Sequence, residues 1–375
     1  MLTGVGTTCK SLIGWIALAF VAGVARAQAP GFVLTGHAPG TDFSQVYALS
    51  ADGRVAAGAS GTTNALPAPG FTWTASGGRN DFGLEVGLPV QTIPAAISAD
   101  GAFVAGRTTN RAFRYAGPGT YQEIAPVGGY TASAAQGISG DGSIVAGRLF
   151  VPQAGVSEAF RWTAQSGVQR LGVLPGDAAS SANAISRDGT TIVGGSGGGS
   201  NSAAAFAWRQ GTGMVGLPSL GGPDTGAWGV NFDGSVIVGQ SGLNLHAVMW
   251  RDGQISDLGV PQGFVGGSVA KAVNDAGTVV VGYASTSTTQ AVIWTPSSGM
   301  EFLSDYLARN GIAVPSGWTL LNATAVSADG LTIAGWGSNS STGSEGFVVT
   351  IPAPSSILVL SAGAMLAARR RPRGA

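Results

Sequence analysis

Few side chains in this sequence are of the kind that make or break bonds. There are two histidines, His37 and His246, and one cysteine, Cys9. A zinc site built on histidine needs more ligands, and a Ser–His–Asp arrangement has little to draw on. The glutamates Glu85, Glu123, Glu158, Glu301 and Glu345 are scattered along the chain. A glycosidase would need two carboxylates at a set separation. The glycine runs do not follow a strand and open a helix, as a phosphate-cradling loop must. Asp52, Asp100, Asp141, Asp188, Asp233 and Asp329 each precede a glycine. Calcium takes about six or more oxygens, so one such aspartate is too little, and these read as turn residues. No catalytic residue, metal ligand or cofactor is therefore expected. What remains is binding. Tyr130, Trp228, Phe264, Trp318 and Trp336 fall in predicted loops, where their rings could stack on sugars.

The aspartates belong to a recurring phrase. ALSADGRVAAG starts at Ala48, AISADGAFVAG at Ala96, GISGDGSIVAG at Gly137 and AISRDGTTIVG at Ala184. GVNFDGSVIVG starts at Gly229, AVNDAGTVVVG at Ala272 and AVSADGLTIAG at Ala325. The seven copies are separated by steps of 48, 41, 47, 45, 43 and 53 residues. A period near 45 points to a propeller or a solenoid.

Each copy reads as strands. Small and apolar residues alternate before the turn, as in Ala184-Ile185-Ser186. Asp-Gly suits a two-residue hairpin, and a β-branched strand such as Thr191-Ile192-Val193 follows. The third strand carries large residues at i and i+2: Phe71/Trp73, Phe113/Tyr115, Phe160/Trp162, Phe206/Trp208, Val248/Trp250 and Val292/Trp294. Period 2 puts both on one face, against the neighbouring unit. A short fourth strand comes next, as in Val168 to Leu174 or Gln254 to Val260. The prediction is an all-β, seven-bladed β-propeller. Its last copy stops after a third strand, Gly346 to Ile351. Gly31 to Gly36 would supply the fourth, closing the ring and removing an edge. The variable loops Ala59 to Gly70, Arg148 to Ala159 and Gly195 to Ala205 are expected on one face, with ligand binding there. Leu303 to Val314 is the one stretch of helical periodicity.

Three segments follow from composition. Residues 1–27 form a signal peptide: Lys10, an apolar run from Ser11 to Val24, and Ala25 and Ala27 as the positions signal peptidase reads, with cleavage before Gln28. Cys9 leaves with it. Residues 28–351 are the repeat body, with 13 basic and 19 acidic residues. An acidic body is a poor candidate for nucleic acid, which selects a basic face. Residues 352–375 begin Pro352-Ala353-Pro354. An uncharged run from Ser355 to Ala368 and the cluster Arg369, Arg370, Arg371 and Arg373 follow. This reads as a short transmembrane helix held by arginines on the cytoplasmic side.

That tail resembles the PEP-CTERM sorting signal, with Ala353 where the family has glutamate. The resemblance implies an exosortase-type transpeptidase as partner and a Gram-negative, exopolysaccharide-linked setting. The repeat resembles the HAF repeat of bacterial extracellular proteins, carried by His246-Ala247-Val248 and Asp257-Leu258-Gly259. That family has no established activity to transfer. Together these readings predict an exported module, anchored transiently in the inner membrane and then in the outer envelope or extracellular matrix. It would be structural or adhesive, binding exopolysaccharide or surface proteins. The alternative is a secreted propeller hydrolase acting on polysaccharide.

Overall fold

The computed structural model describes residues 31–62, 69–82, 91–198, 202–222 and 224–353. The signal-peptidase site (Ala25, Ala27, Gln28) and Pro354, Arg369, Arg370 and Arg371 lie outside them. Pro352 and Ala353 are exposed and in no strand or helix. Among the described residues, no helix is long and apolar enough to cross a membrane.

The repeat phrases form antiparallel sheets. The fourth unit shows the pattern: Ala179–Ile185, Thr191–Gly198, Ser202–Arg209 and Gly213–Gly216 pair in chain order. Five such four-stranded sheets and one eight-stranded sheet are present among the described residues. The larger sheet holds the strands of the first unit (Phe43–Leu49 onward) and those of the seventh (Trp318–Val326 onward). One parallel residue pair, Phe43 with Ser344, joins the two. The N-terminal strand Gly31–Leu34 pairs antiparallel with Gly343–Thr350, Gly31 opposite Thr350 and Leu34 opposite Phe347.

The units pack in succession and return on themselves. The first strand of each unit contacts that of the next, and Trp318–Val326 contacts Phe43–Leu49. The core is accordingly divided into apolar clusters between adjacent units. Phe160 and Trp162 of the third unit pack with Ala105, Ala112 and Ile124 of the second. Phe71 and Trp73 of the first pack with Ala325, Ala334 and Val348 of the seventh. The phenylalanines of these pairs are fully buried. Each such burial contributes about 1.5–3 kcal/mol, so the third-strand aromatics act between units, as their period-2 spacing implied.

The turns are longer than the two-residue hairpin expected from Asp-Gly. Ser186 Oγ donates to Asp188 Oδ1 at 2.5 Å and accepts from Thr191 N at 2.9 Å. Asp188 Oδ1 also accepts from Thr190 N at 2.9 Å. The serine hydroxyl thus closes the turn from within, and a two-residue turn would leave it no role. Ser50, Ser98, Ser139 and Ser327 repeat the geometry. Asn231 and Asn274 substitute an amide oxygen. Gly189 takes φ 74° in this turn.

These turns also bond to one another. Ala51 N donates to Ala99 O, Ala99 N to Gly140 O, and Gly140 N to Arg187 O. Asp188 N donates to Phe232 O, the Asn231 side-chain amide to Asp275 O, and Asp275 N to Ala328 O. Ala328 N then donates to Ala51 O at 2.8 Å, completing a belt.

Two expected loops are mostly strand. Ile144–Val151 and Val156–Thr163 pair out to Val151 opposite Val156, so Arg148 to Ala159 contributes only a tight connection. Gly198 likewise lies opposite Ser202. Small residues carry little intrinsic strand signal, yet a paired neighbour holds them in the ladder. The helical stretch is a helix, Leu303–Arg309, which buries Leu303 and Leu307 in the apolar cluster between the sixth and seventh units.

Candidate functional site: an axial channel

Every first strand carries a β-bulge at the same place. The register shifts between Val46 and Ala48, Pro94 and Ala96, Ala135 and Gly137, and Ala182 and Ala184. It shifts again between Ala227 and Gly229, Ala270 and Ala272, and Ala323 and Ala325. The skipped residues are Tyr47, Ala95, Gln136, Asn183, Trp228, Lys271 and Thr324. A bulge re-aims a side chain, and all seven of these line one cavity of about 430 Å³. Because the cavity is lined by all seven first strands, it lies on the axis of the ring.

The second strand explains how the bulge is held. Gly58, Gly106, Gly147, Gly194, Gly239, Gly282 and Gly335 end the repeated phrase. A Cβ on Gly147 would stand 2.0 Å from Ala134 O, and one on Gly194 would stand 2.0 Å from Ser181 O. The bulged strand presses its carbonyl onto the glycine, leaving no room for a side chain. The glycine, the bulge and the channel-facing residue are therefore one device, repeated in each unit.

One residue further along the second strand come Arg107 and Arg148, which also line the channel. They lie opposite Ile93 and Ala134, toward the face away from the Ser-x-Asp-Gly turns. Arg187 lines the turn end, where it forms an ion pair with Asp275. Lys271 reaches in from the sixth unit, with Nζ 4.2 Å from the centroid of the Trp228 ring. Burial pushes the Lys271 ammonium down to about 8. Arg148 is exposed, but desolvation chiefly, and the Arg107 charge secondarily, push its pKa down. Trp228 Nε1 is buried and has no hydrogen-bond partner among the described residues. Among the described residues, no aspartate or glutamate lines this cavity.

The five predicted ring residues are not gathered into one site. Trp228 lies in the strand Gly226–Val230 rather than a loop, because its neighbours alternate in and out, and it is the one that faces the axis. Tyr130 donates from its hydroxyl to Glu158 at 3.0 Å and packs on the third unit's core. Phe264 meets Phe302 edge-on at 5.7 Å. Trp318 opens a strand opposite Asn339. Trp336 lines a separate hollow with Phe43 and Leu321. Tyr130, Phe264, Trp318 and Trp336 are half-buried rather than displayed. Apart from Trp228, the channel residues escaped the sequence reading, although a signal exists. They occupy the position just before each repeated phrase, where its regularity breaks off.

The histidines have structural partners. His246 Nδ1 is 3.0 Å from Asp257 Oδ2, across the third and fourth strands of its unit. Arg111 with Glu123 and Glu158 with Arg170 occupy the corresponding places in other units, with the charges exchanged in the latter. His37 and Glu345 do so in the seventh. The residue before Ala-Phe in the repeat is thus half of a cross-strand polar pair. Among the described residues, no three His, Cys, Asp or Glu side chains gather as a metal-holding group.

In sequence, no family and no curated protein matches the chain. In structure it is similar to the β-propeller domain of the Trilobed protease from Pyrococcus furiosus, with TM-score 0.52 and 11% identity over 82% of this chain and 94% of that one. Streptogramin B lyase matches with TM-score 0.52 and 11% identity over 85% and 97%. An oligogalacturonate lyase matches with TM-score 0.50 and 11% identity over 86% and 97%. At such identities the likeness establishes the fold alone: the chain is a β-propeller.

Proposed function

We propose that the protein is an exported, seven-bladed propeller that serves as a structural or adhesive binding module at the cell surface or in the extracellular matrix. The observation that carries the binding role is the axial channel. Its lining combines guanidinium, ammonium, amide, hydroxyl and indole groups on a frame of bulged strands. Such a lining offers many hydrogen bonds and charges to a ligand. Among the described residues its lining carries no carboxylate, so the carboxylate pair of a glycosidase has no counterpart there.

The export part of the proposal rests on the ends of the sequence. Signal peptidase would act before Gln28. An exosortase-type transpeptidase would act at Pro352-Ala353-Pro354, after transient insertion of the tail. The partners would be exopolysaccharide or surface proteins. The test is a carbohydrate array probed with the mature chain, with release of soluble product measured on the same saccharides. Binding without turnover is the expected result. Product release would favour a polysaccharide hydrolase and overturn the proposal.

A further inference from the structure

Charge is distributed unevenly between the channel and the rest of the protein. The body has 13 basic and 19 acidic residues, yet among the described residues four basic ones line the channel and no acidic one does. Arg187 is spoken for by Asp275. Arg107, Arg148 and Lys271 have no acidic partner among the described residues. Arg148 and Lys271 make ring contacts instead, at 5.0 Å from Phe150 and 4.2 Å from Trp228. Holding like charges together in a partly dehydrated space is unfavourable unless something anionic joins them. Such a group is the missing counter-charge.

The arrangement also limits what carries that charge. Arg107 and Arg148 stand on adjacent second and third units, and Lys271 on the sixth, across the ring. A ligand that meets all three must lie across the channel, so a lone inorganic ion is too small. Between them, Gln136 and Asn183 line the channel with side-chain amides, Gln136 donating to Ser181 Oγ at 3.4 Å and Asn183 to Ala227 O at 2.9 Å, which leaves further amide hydrogen-bonding capacity for a ligand. Amides and an indole suit hydroxyl-bearing rings, while guanidinium groups suit carboxylates in a two-point fork. Gly195 holds the place in the fourth unit that Arg107 and Arg148 hold in theirs. A Cβ there would meet nothing within 4 Å, and Gly195 lines a second hollow whose wall shares Gln136, Arg148, Asn183 and Trp228 with the channel.

We infer that the axial channel binds an acidic saccharide, its carboxylates held by Arg107, Arg148 and Lys271 and its hydroxyls by Gln136 and Asn183, with the Trp228 ring as part of the wall. This rests on the reading of the protein as a saccharide-binding module and names the class of saccharide.

The experiment is calorimetric titration of the mature chain with two probes. One is a trisaccharide of β-linked glucuronates. The other is the same trisaccharide with its carboxyls reduced to hydroxymethyl groups. The expected result is affinity for the acidic probe at least tenfold above that for the neutral one, falling as salt is raised. Arg107→Gln, Arg148→Gln and Lys271→Met should each weaken the acidic probe tenfold or more and leave the neutral one unchanged. Asn183→Ala should weaken both. Equal affinity for the two probes would overturn the inference and leave the binding-module reading intact. So would an acidic preference that survives all three charge substitutions. Binding of neither probe overturns the inference, and the array then decides the broader reading separately. Unchanged melting of each variant confirms that folding is not what was lost.

Discussion

Glu345 and His37 face each other at 3.6 Å, from the last repeat and from just beyond the first described strand. Glu345 Oε1 also accepts from Gly36 N at 2.6 Å. His246 and Asp257 make the same kind of pair within a single unit. The N-terminal segment therefore supplies both the strand and the polar partner that the seventh unit lacks.

Removal of residues up to Leu34 should open the ring. Four residue pairs join Gly31–Leu34 to Gly343–Thr350, and Phe32 stacks on Phe347 at 5.4 Å. At about 1 kcal/mol net per backbone bond, the loss should be about 3–5 kcal/mol. Denaturant unfolding of the shortened chain checks this. A peptide spanning Gly31 to His37, added in trans, should restore part of the stability.

The neighbouring glycines Gly194 and Gly195 should respond oppositely to the same change. Gly194→Ala drives a methyl onto Ser181 O and against the Phe206 ring, with backbone on one side that cannot move away. It should cost about 1–3 kcal/mol. Gly195→Ala points into open space and should leave stability within about 0.5 kcal/mol. Equilibrium unfolding of the two variants checks the bulge device directly.

Lys271→Met should not destabilise the protein. Burial holds the Lys271 pKa at about 8, below the value of about 10.4 expected when unfolded. Between these values the unfolded chain holds the proton more tightly, so this residue's contribution to stability rises with pH across about 8 to 10.4. Methionine removes the buried charge, and the melting temperature should stay level or rise. Binding of an anion should show the reverse trend with pH. It should weaken as pH passes about 8 in the wild type and stay flat in the Lys271→Met variant. The other charges lining the channel are the guanidinium groups of Arg107, Arg148 and Arg187. Burial chiefly pushes the Tyr47 phenol up from its ordinary value, against the nearby Arg107 charge.

The turn aspartates should give an acid limb to the stability curve. The Ser98 hydroxyl chiefly, then a backbone N–H, hold the Asp100 carboxyl below its ordinary range. Ser139 does the same for Asp141, and Ser235 for Asp233. A lowered folded pKa means stability that is present above about pH 4 and lost as pH falls through the folded value. Ser139→Ala should move the Asp141 titration upward toward the ordinary carboxylate value, read by carboxyl-carbon NMR, and flatten the acid limb.

The period, the third-strand aromatic pairs and the complementary termini were legible because each is a statement about neighbours in sequence or about one strand's faces. The bulges were not. Ala182-Asn183-Ala184 alternates like any straight strand, and the extra residue emerges only when Gly194 forces the facing carbonyl aside. The channel stayed hidden for the same reason. Tyr47, Gln136, Asn183, Trp228 and Lys271 share no residue type and converge only when the ring closes. The glycine- and alanine-rich stretches after Gly194 read as loop because their strand character comes from pairing rather than from their own side chains.

The measurement closest to the central claim is a crystal structure of the mature chain with the glucuronate trisaccharide. The account predicts the sugar on the ring axis, with a carboxylate between Arg107 and Arg148 and a second near Lys271. A sugar seated in the hollow beside Trp336 and Phe43, with the axial channel holding only water, would contradict it.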